Sequence, residues 1–254
     1  MIIVISPAKN LDLKQGKFPF TPTIPEFVDD SQKIINNLKR KTIKSIESLM
    51  SINRKIASLN KDRFLSWEQP FTIKNAKPAI LTFRGEVYIG LDAASFKKKD
   101  FDFAQKHLRI LSGLYGLLRP YDLMRPYRLE MGTNLKINRC KNLYAFWDNK
   151  IADQLTKTLK DHEHPVLIHL ASDQYFDSVQ PKTFTLPVIR PVFKEKRGNQ
   201  LKSIHVYAKR ARGLMANFII KNQISNPKDM KKFDIDGYRF DKKLSTNKEW
   251  IFIR

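Results

Sequence analysis

The sequence predicts a mixed α/β fold: one domain spanning residues 1–254, with a mixed central sheet and helices around it. Three observations carry that prediction. Short apolar runs of strand length interleave with helical periodicities from one end of the chain to the other. No Pro-, Gly- or Ser-rich linker splits the series, and no internal repeat or long low-complexity segment interrupts it. With 254 residues, 42% of them hydrophobic, the chain can bury a sizeable core.

The strand candidates are residues 2–5, 79–83, 166–170, 188–193, 204–207 and 250–253. Continuous runs such as Val166-Leu167-Ile168-His169-Leu170 suit strands covered on both faces. Helical spacing of apolar residues appears at 26–40, 42–50, 54–66, 148–160 and 208–222. The proline-rich stretches 19–25 and 119–126 read as turns or extended connectors. Glycine is scarce, nine in all, so each one is expected to mark a place where backbone geometry matters.

Lys and Arg number 47 against 25 Asp and Glu, a formal net charge of +22. Residues 1–100 carry 18 basic and 10 acidic groups, residues 101–181 carry 11 and 9, and residues 182–254 carry 18 and 6. Two basic thirds thus flank a near-neutral centre, which points to a basic cleft built from both ends of the chain and to an anionic partner. A general surplus of solubilising lysine would give the same total. No apolar run is long enough to cross a bilayer, the N-terminus lacks a leader pattern, and Cys140 is the single cysteine. The expectation is a cytoplasmic protein without membrane contact.

Residues 42–59 read TIKSIESLMSINRKIASL. Thr42 suits an N-cap, and Ile43, Ile46, Leu49 and Met50 share one face of a short helix. The trio Ser51-Ile52-Asn53 follows, then Arg54-Lys55-Ile56-Ala57. This order is similar to a helix-hairpin-helix, an element placed at about 42–66, whose backbone N–H groups and basic side chains meet a phosphate without reading bases. Both hairpin glycines of that pattern are absent; Asn53 tolerates left-handed geometry better than Ser51. The alternative is a plain pair of helices packed on the core.

The segment 111–133 reads LSGLYGLLRPYDLMRPYRLEMGT. Arg119-Pro120-Tyr121 and Arg125-Pro126-Tyr127 present their arginines from stiff backbone, suited to phosphate forks and base stacking. Asp122 and Glu130 could instead pair Arg119, Arg125 and Arg128 internally, the reading preferred for at least one of the three. Further along, Lys209, Arg210 and Arg212 are expected in the first turn of the 208–222 helix. Cations oppose the dipole there unless an anion binds. Lys9, just past the first strand, is a further phosphate candidate. Ser172 and Asp173, just past another strand, could touch a substrate, although a helix cap is the commoner use. His162 and His164 could catch a metal, yet no further ligands stand at usual spacing, and no metal or cofactor is assigned. Phosphate-loop, dinucleotide and nucleophile-elbow patterns are all missing, so no catalytic residue is named.

MIIVISPAKNLD, FDFAQKHLRILSGLYGLLRPYDLMRPYRLEMGT, LASDQYFDSV, and YAKRARGLMANFIIKN followed by GYRFD stand in that order along the chain. Together they resemble the YaaA peroxide-stress protein family over essentially the whole length. The resemblance implies a cytoplasmic bacterial protein of the hydrogen peroxide response, linked to low intracellular free iron and to protection of DNA. It further implies binding of duplex and branched DNA through a positive cleft and a helix-hairpin-helix, the hairpin falling on Ser51, Ile52 and Asn53 beside Arg54 and Lys55. The expected DNA contacts are therefore Lys9, Ser51, Ile52, Asn53, Arg54, Lys55, Arg119, Arg125, Arg128, Lys209, Arg210 and Arg212. An enzyme acting on a phosphate-bearing substrate in the central cleft is the competing expectation.

Overall fold

A computed structural model describes residues 1–179 and 184–254. Its strands in chain order are β1 (Ile2–Ile5), β2 (Asn10–Leu11), β3 (Lys77–Pro78), β4 (Phe83–Arg84), β5 (Leu108–Ser112), β6 (Gly116–Leu118), β7 (Leu123–Met124), β8 (Leu167–His169), β9 (Val188–Arg197), β10 (Gln200–Lys202), β11 (Arg239–Asp241) and β12 (Glu249–Ile253). The α-helices are α1 (Val28–Lys39), α2 (Ile43–Met50), α3 (Arg54–Ser66), α4 (Ala79–Thr82), α5 (Glu86–Leu91), α6 (Lys98–His107), α7 (Leu143–Trp147), α8 (Lys150–Lys160), α9 (Asp173–Phe176) and α10 (His205–Lys221).

Eight strands form one mixed sheet in the order β11-β12-β9-β8-β1-β5-β6, with β10 pairing β9. The five inner strands β12, β9, β8, β1 and β5 run parallel, while β11, β6 and β10 are antiparallel additions at the margins. β1 lies at the centre because Ile2, Ile3, Val4 and Ile5 are β-branched and wholly buried. Numbered in chain order, the five parallel strands stand 2-1-3-4-5. The chain leaves β1 towards one side to build β5, then crosses to the other side to build β8. The reversal falls between β1 and β8, where ligands of open parallel sheets gather beyond the carboxyl ends of the strands.

Helical periodicity located α1, α2, α3 and α8 to within two residues. Two strand expectations fail. Residues 79–82 form a helical turn, because the Thr82 hydroxyl donates back to the Pro78 carbonyl at 2.8 Å and closes it; only Phe83 and Arg84 continue as strand, against Asn10 and Leu11. Residues 205–207 open α10 with Val206 and Tyr207 exposed, so their apolar character reflects no sheet burial. The converse error is β5. Arg109 interrupts its apolar run, yet the residue is buried with its guanidinium donating to the Gln105 and Leu108 carbonyls. β5 also follows α6 with no intervening turn to announce it.

α2 and α3 are joined by three residues. The Thr42 hydroxyl caps α2 by accepting from the Ser45 N–H, and the Asn53 side chain caps α3 by accepting from the Ile56 N–H at 3.0 Å. The left-handed position falls on Ser51 (φ 50°, ψ 53°) and not on Asn53, because the capping role holds Asn53 in extended geometry. The two proline-rich connectors meet: Thr23 bridges to Asp122, and Asp122 also accepts from the Arg119 guanidinium. α5 and α10 cross backbone to backbone at Gly90 and Gly213. A Cβ on Gly90 would lie 2.3 Å from the Arg210 carbonyl, and one on Gly213 would lie 1.9 Å from that of Val87.

Candidate functional site

A crevice of about 550 Å³ opens beyond the carboxyl ends of β1 and β8, at the reversal in strand order. Its walls come from stretches far apart in sequence: 6–10 after β1, 84–88 at the start of α5, 127–130, Ser172 to Tyr175 after β8, and the first half of α10. The floor is polar. The Ser172 N–H donates to the Ser6 hydroxyl at 2.9 Å, the Ser6 hydroxyl donates to that of Ser172 at 3.3 Å, and the Tyr88 hydroxyl donates to the Ser6 carbonyl. The wall at 127–130 comes close because Gly113 lets the Leu129 carbonyl approach; a Cβ there would sit 2.4 Å from it.

Five cationic side chains, Lys9, Arg84, Arg128, Lys209 and Arg212, line the crevice against two carboxylates, Glu86 and Glu130. Lys9 Nζ lies 3.0 Å from Glu130 Oε1 and Arg128 Nη2 lies 3.7 Å from the same oxygen, so one carboxylate serves both. Arg128 Nε is buried and has no partner among the described residues. Arg212 is partly buried and, among the described residues, makes no ion pair and no side-chain hydrogen bond. Burial, with the repulsion of Arg190, lowers its pKa below the usual guanidinium value, against the pull of Asp173. Burial also raises the pKa values of Tyr88, Tyr127 and Tyr175, so these walls offer protonated hydroxyls.

Beside the crevice, His169 ends β8 and is only 4% exposed, stacked on Phe176 at 3.8 Å. Its Nε2 lies 3.6 Å from Asp173 Oδ1, and Asp173 is held by Arg190. Burial, then the Arg190 and Arg212 charges, push the imidazole down to about 3 against the opposing influence of Asp173. The unfolded chain therefore binds a proton here below about pH 6.5 that the folded chain refuses. Stability from this group is full above that pH and is lost as pH falls. In urea unfolding His169 alone should contribute a loss of up to about 2 kcal/mol between pH 7 and pH 5, and His162, also held below its ordinary value, adds its own share. Most carboxylates are still ionised over that window. A His169→Gln variant whose stability falls as steeply would assign the effect elsewhere.

The structure draws Lys9, Arg128, Lys209 and Arg212 into this one crevice, together with Ser172 and Glu130. The expected helix-start site at 209–212 is corrected. α10 begins at His205, so Lys209, Arg210 and Arg212 fall in its second and third turns, beyond the free N–H groups. Arg210 is exposed and lines no wall of the crevice. Arg119 and Arg125 serve the fold. Arg119 grips Asp122 and the Ile24 carbonyl, and Arg125, only 12% exposed, donates to the Glu68 carbonyl beside that residue's carboxylate. Ser51, Ile52 and Asn53 form the α2–α3 turn, Arg54 and Lys55 open α3, and none of the five lines the crevice. Arg84, Glu86 and His205 went unread in the sequence; the one local signal was Gly85, set between a short apolar run and a helix.

His162 and His164 line a common cavity with His107, yet each is engaged separately. His162 packs edge-on to His107, with its pKa pushed down to about 4 by burial and the nearby N-terminal amine, whereas His164 faces Glu163 at 3.8 Å. Among the described residues no group of three or more His, Cys, Asp or Glu side chains is placed to hold a metal ion. No helix among them is long and apolar enough to cross a membrane.

Comparison with known proteins agrees along the chain. A UPF0246 protein of Saccharophagus degradans is 51% identical over 254 residues, covering 100% of this chain and 99% of the relative. One from Teredinibacter turnerae is 48% identical over 254 residues, covering 100% and 99%. One from Polynucleobacter necessarius is 49% identical over 240 residues, covering 94% and 93%. The family model described as peroxide stress protein YaaA matches residues 1–244. With that match and relatives at about half identity over nearly their whole length, the chain belongs to the YaaA family of peroxide stress proteins.

Proposed function

We propose that this protein serves the peroxide response as a cytoplasmic DNA-binding protein that grips duplex or branched DNA through phosphates and shields it. The observation that carries this reading is Arg212, a partly buried guanidinium without an anionic partner among the described residues. It faces a crevice shared with Lys9, Arg128 and Lys209. Taking a charge out of water without a partner is costly, and an incoming phosphate repays that cost. Arg54 and Lys55, exposed in the first turn of α3 next to the capped turn, supply a second contact outside the crevice. Contacts of this kind position a backbone and read no bases. Protection of proteins and the lowering of free iron belong to the same reading and rest on family membership alone.

Fluorescence anisotropy with labelled duplexes at 50 to 200 mM salt tests it. Affinity is expected to fall log-linearly with salt, and Arg54→Ala with Lys55→Ala should weaken binding alike for all sequences and flatten the slope by about 2. An affinity that barely changes over that range defeats the phosphate reading.

A second reading has its own observation: the crevice stands at the strand-order reversal, with the Ser6–Ser172 hydroxyl pair as its floor and Asp173 nearby. On that reading the protein turns over a phosphate-bearing substrate. Nuclease and phosphatase assays with several divalent metals address it. Turnover lost in Asp173→Asn and kept in Arg54→Ala would favour an enzyme over a pure binder.

A further inference from the structure

We propose that the crevice receives the phosphomonoester of a single nucleotide unit, at a strand end or on a free mononucleotide, in preference to a phosphate inside a strand. The inference rests on the phosphate-binding reading above and narrows its ligand.

The first argument is shape. The crevice is closed below by the carboxyl ends of β1 and β8, where Ser6, Ser172 and Tyr88 bond to one another. Its volume of about 550 Å³ lies in the range of small-ligand pockets, roughly 300–1,000 Å³. A backbone phosphate inside a strand continues in two directions and needs an open groove. A terminal phosphate needs only one way in.

The second argument is charge. An internal phosphodiester carries one negative charge, whereas a terminal monoester carries about −1.5 to −2 at neutral pH, its second pKa being about 6. The walls hold five cations against two carboxylates, and one of those carboxylates is already shared by Lys9 and Arg128. Arg212, Lys209 and Arg84 have no ion pair among the described residues. That surplus matches a dianion better than a monoanion.

The third argument is the count of donors. The Ser172 hydroxyl accepts from Ser6, which leaves its own hydrogen for another acceptor. The Arg212 fork and the Lys209 ammonium are unengaged among the described residues, and both line the crevice. With the Ser172 hydroxyl they make three sets of donors, where a monoester presents three terminal oxygens and a diester only two.

The test is isothermal titration of the full chain at low salt. The probes are a short single-stranded oligonucleotide with a 5′-phosphate, the same oligonucleotide with a 5′-hydroxyl or a 3′-phosphate, a deoxynucleoside 5′-monophosphate, and closed circular duplex, which has no ends. The phosphorylated oligonucleotide should bind at least tenfold more tightly than the hydroxyl form at pH 7.5, with the preference shrinking by pH 5 as the monoester takes up a proton. Arg212→Gln and Ser172→Ala should remove the preference. Lys209→Gln, on an exposed side chain, should reduce it several-fold without risk to the fold. A mononucleotide that binds as tightly as the phosphorylated oligonucleotide supports the site and names the free nucleotide as its ligand. Equal affinity for phosphorylated and hydroxyl ends, with duplex binding still salt-dependent, overturns this inference and leaves the DNA-binding reading standing. A preference unchanged in all three variants also overturns it. Loss of circular duplex binding in the unmodified protein overturns the wider reading instead.

Discussion

Gly213→Ala is expected to destabilise the protein by about 3 kcal/mol or more, the larger end of what one added methyl group does. The added Cβ would lie 1.9 Å from the Val87 carbonyl and 2.8 Å from the Leu91 N–H, both backbone atoms that cannot rotate aside. α5 and α10 must then separate. α10 buries Ala208, Ala211, Met215, Ala216, Ile219 and Ile220, so separation opens well-packed apolar contact along much of its length. The roughly 1 kcal/mol that alanine gains over glycine in helix propensity does not offset that loss. Urea unfolding checks it, with Gly16→Ala as the control, because nothing lies within 4 Å of a Cβ there. A Gly213→Ala protein with the unfolding midpoint of the unmodified chain would show that the two helices are not locked. The same variant should weaken ligand binding, since α5 and α10 form two walls of the crevice.

Asp122→Ala is expected to cost about 3 kcal/mol. The carboxylate is buried and accepts four hydrogen bonds: from the Thr23 hydroxyl at 2.6 Å, from the Arg119 N–H at 2.7 Å, and from Arg119 Nη2 and Nε at 2.8 and 3.0 Å. Its removal leaves a backbone N–H, a hydroxyl and a guanidinium without their acceptor, and breaking such a pair costs about 3–5 kcal/mol when both partners are buried. Arg119 is 33% exposed, so water recovers part of its charge and the lower figure applies. Asp122→Asn keeps an acceptor for Thr23 and should lose about half as much. A double-mutant cycle with Arg119→Ala separates the ion pair from the Thr23 bond. A coupling energy near zero would mean that the Asp122–Arg119 pair adds nothing beyond the Thr23 bond.

The sheet was legible wherever an apolar run had punctuation. β1, β8 and β12 were read from continuous hydrophobic runs, β9 from a run broken by Arg190 and Pro191, and four of the helices from their 3.6-residue spacing. β5 was not, because a buried arginine in a strand looks like a surface residue until its carbonyl partners are known. The candidate site was half legible. Lys9, Arg128, Lys209 and Arg212 were each marked for local reasons, and Asp122, three residues on, was a readable partner for Arg119. The other acceptors that spend arginines on the fold come from remote segments: the Ile24 carbonyl for Arg119 and Glu68 for Arg125. The location of α10's first turn likewise depended on three residues, 205–207, whose apolar character suggested a strand.

The central place of β1 has a consequence for how the chain is made. Its four residues, all apolar, pair with β5 and β8, which follow it by about a hundred and about a hundred and sixty residues. At translation rates of about 5–20 residues per second, β1 waits on the order of 5–20 s for its first neighbour and longer for its second. Throughout that interval an Ile-Ile-Val-Ile segment is held in a nascent chain with neither edge paired, a stretch suited to capture by a chaperone or by another nascent copy. The crevice at its carboxyl end cannot form before β8 arrives, so an unfinished chain carries the charge but not the pocket.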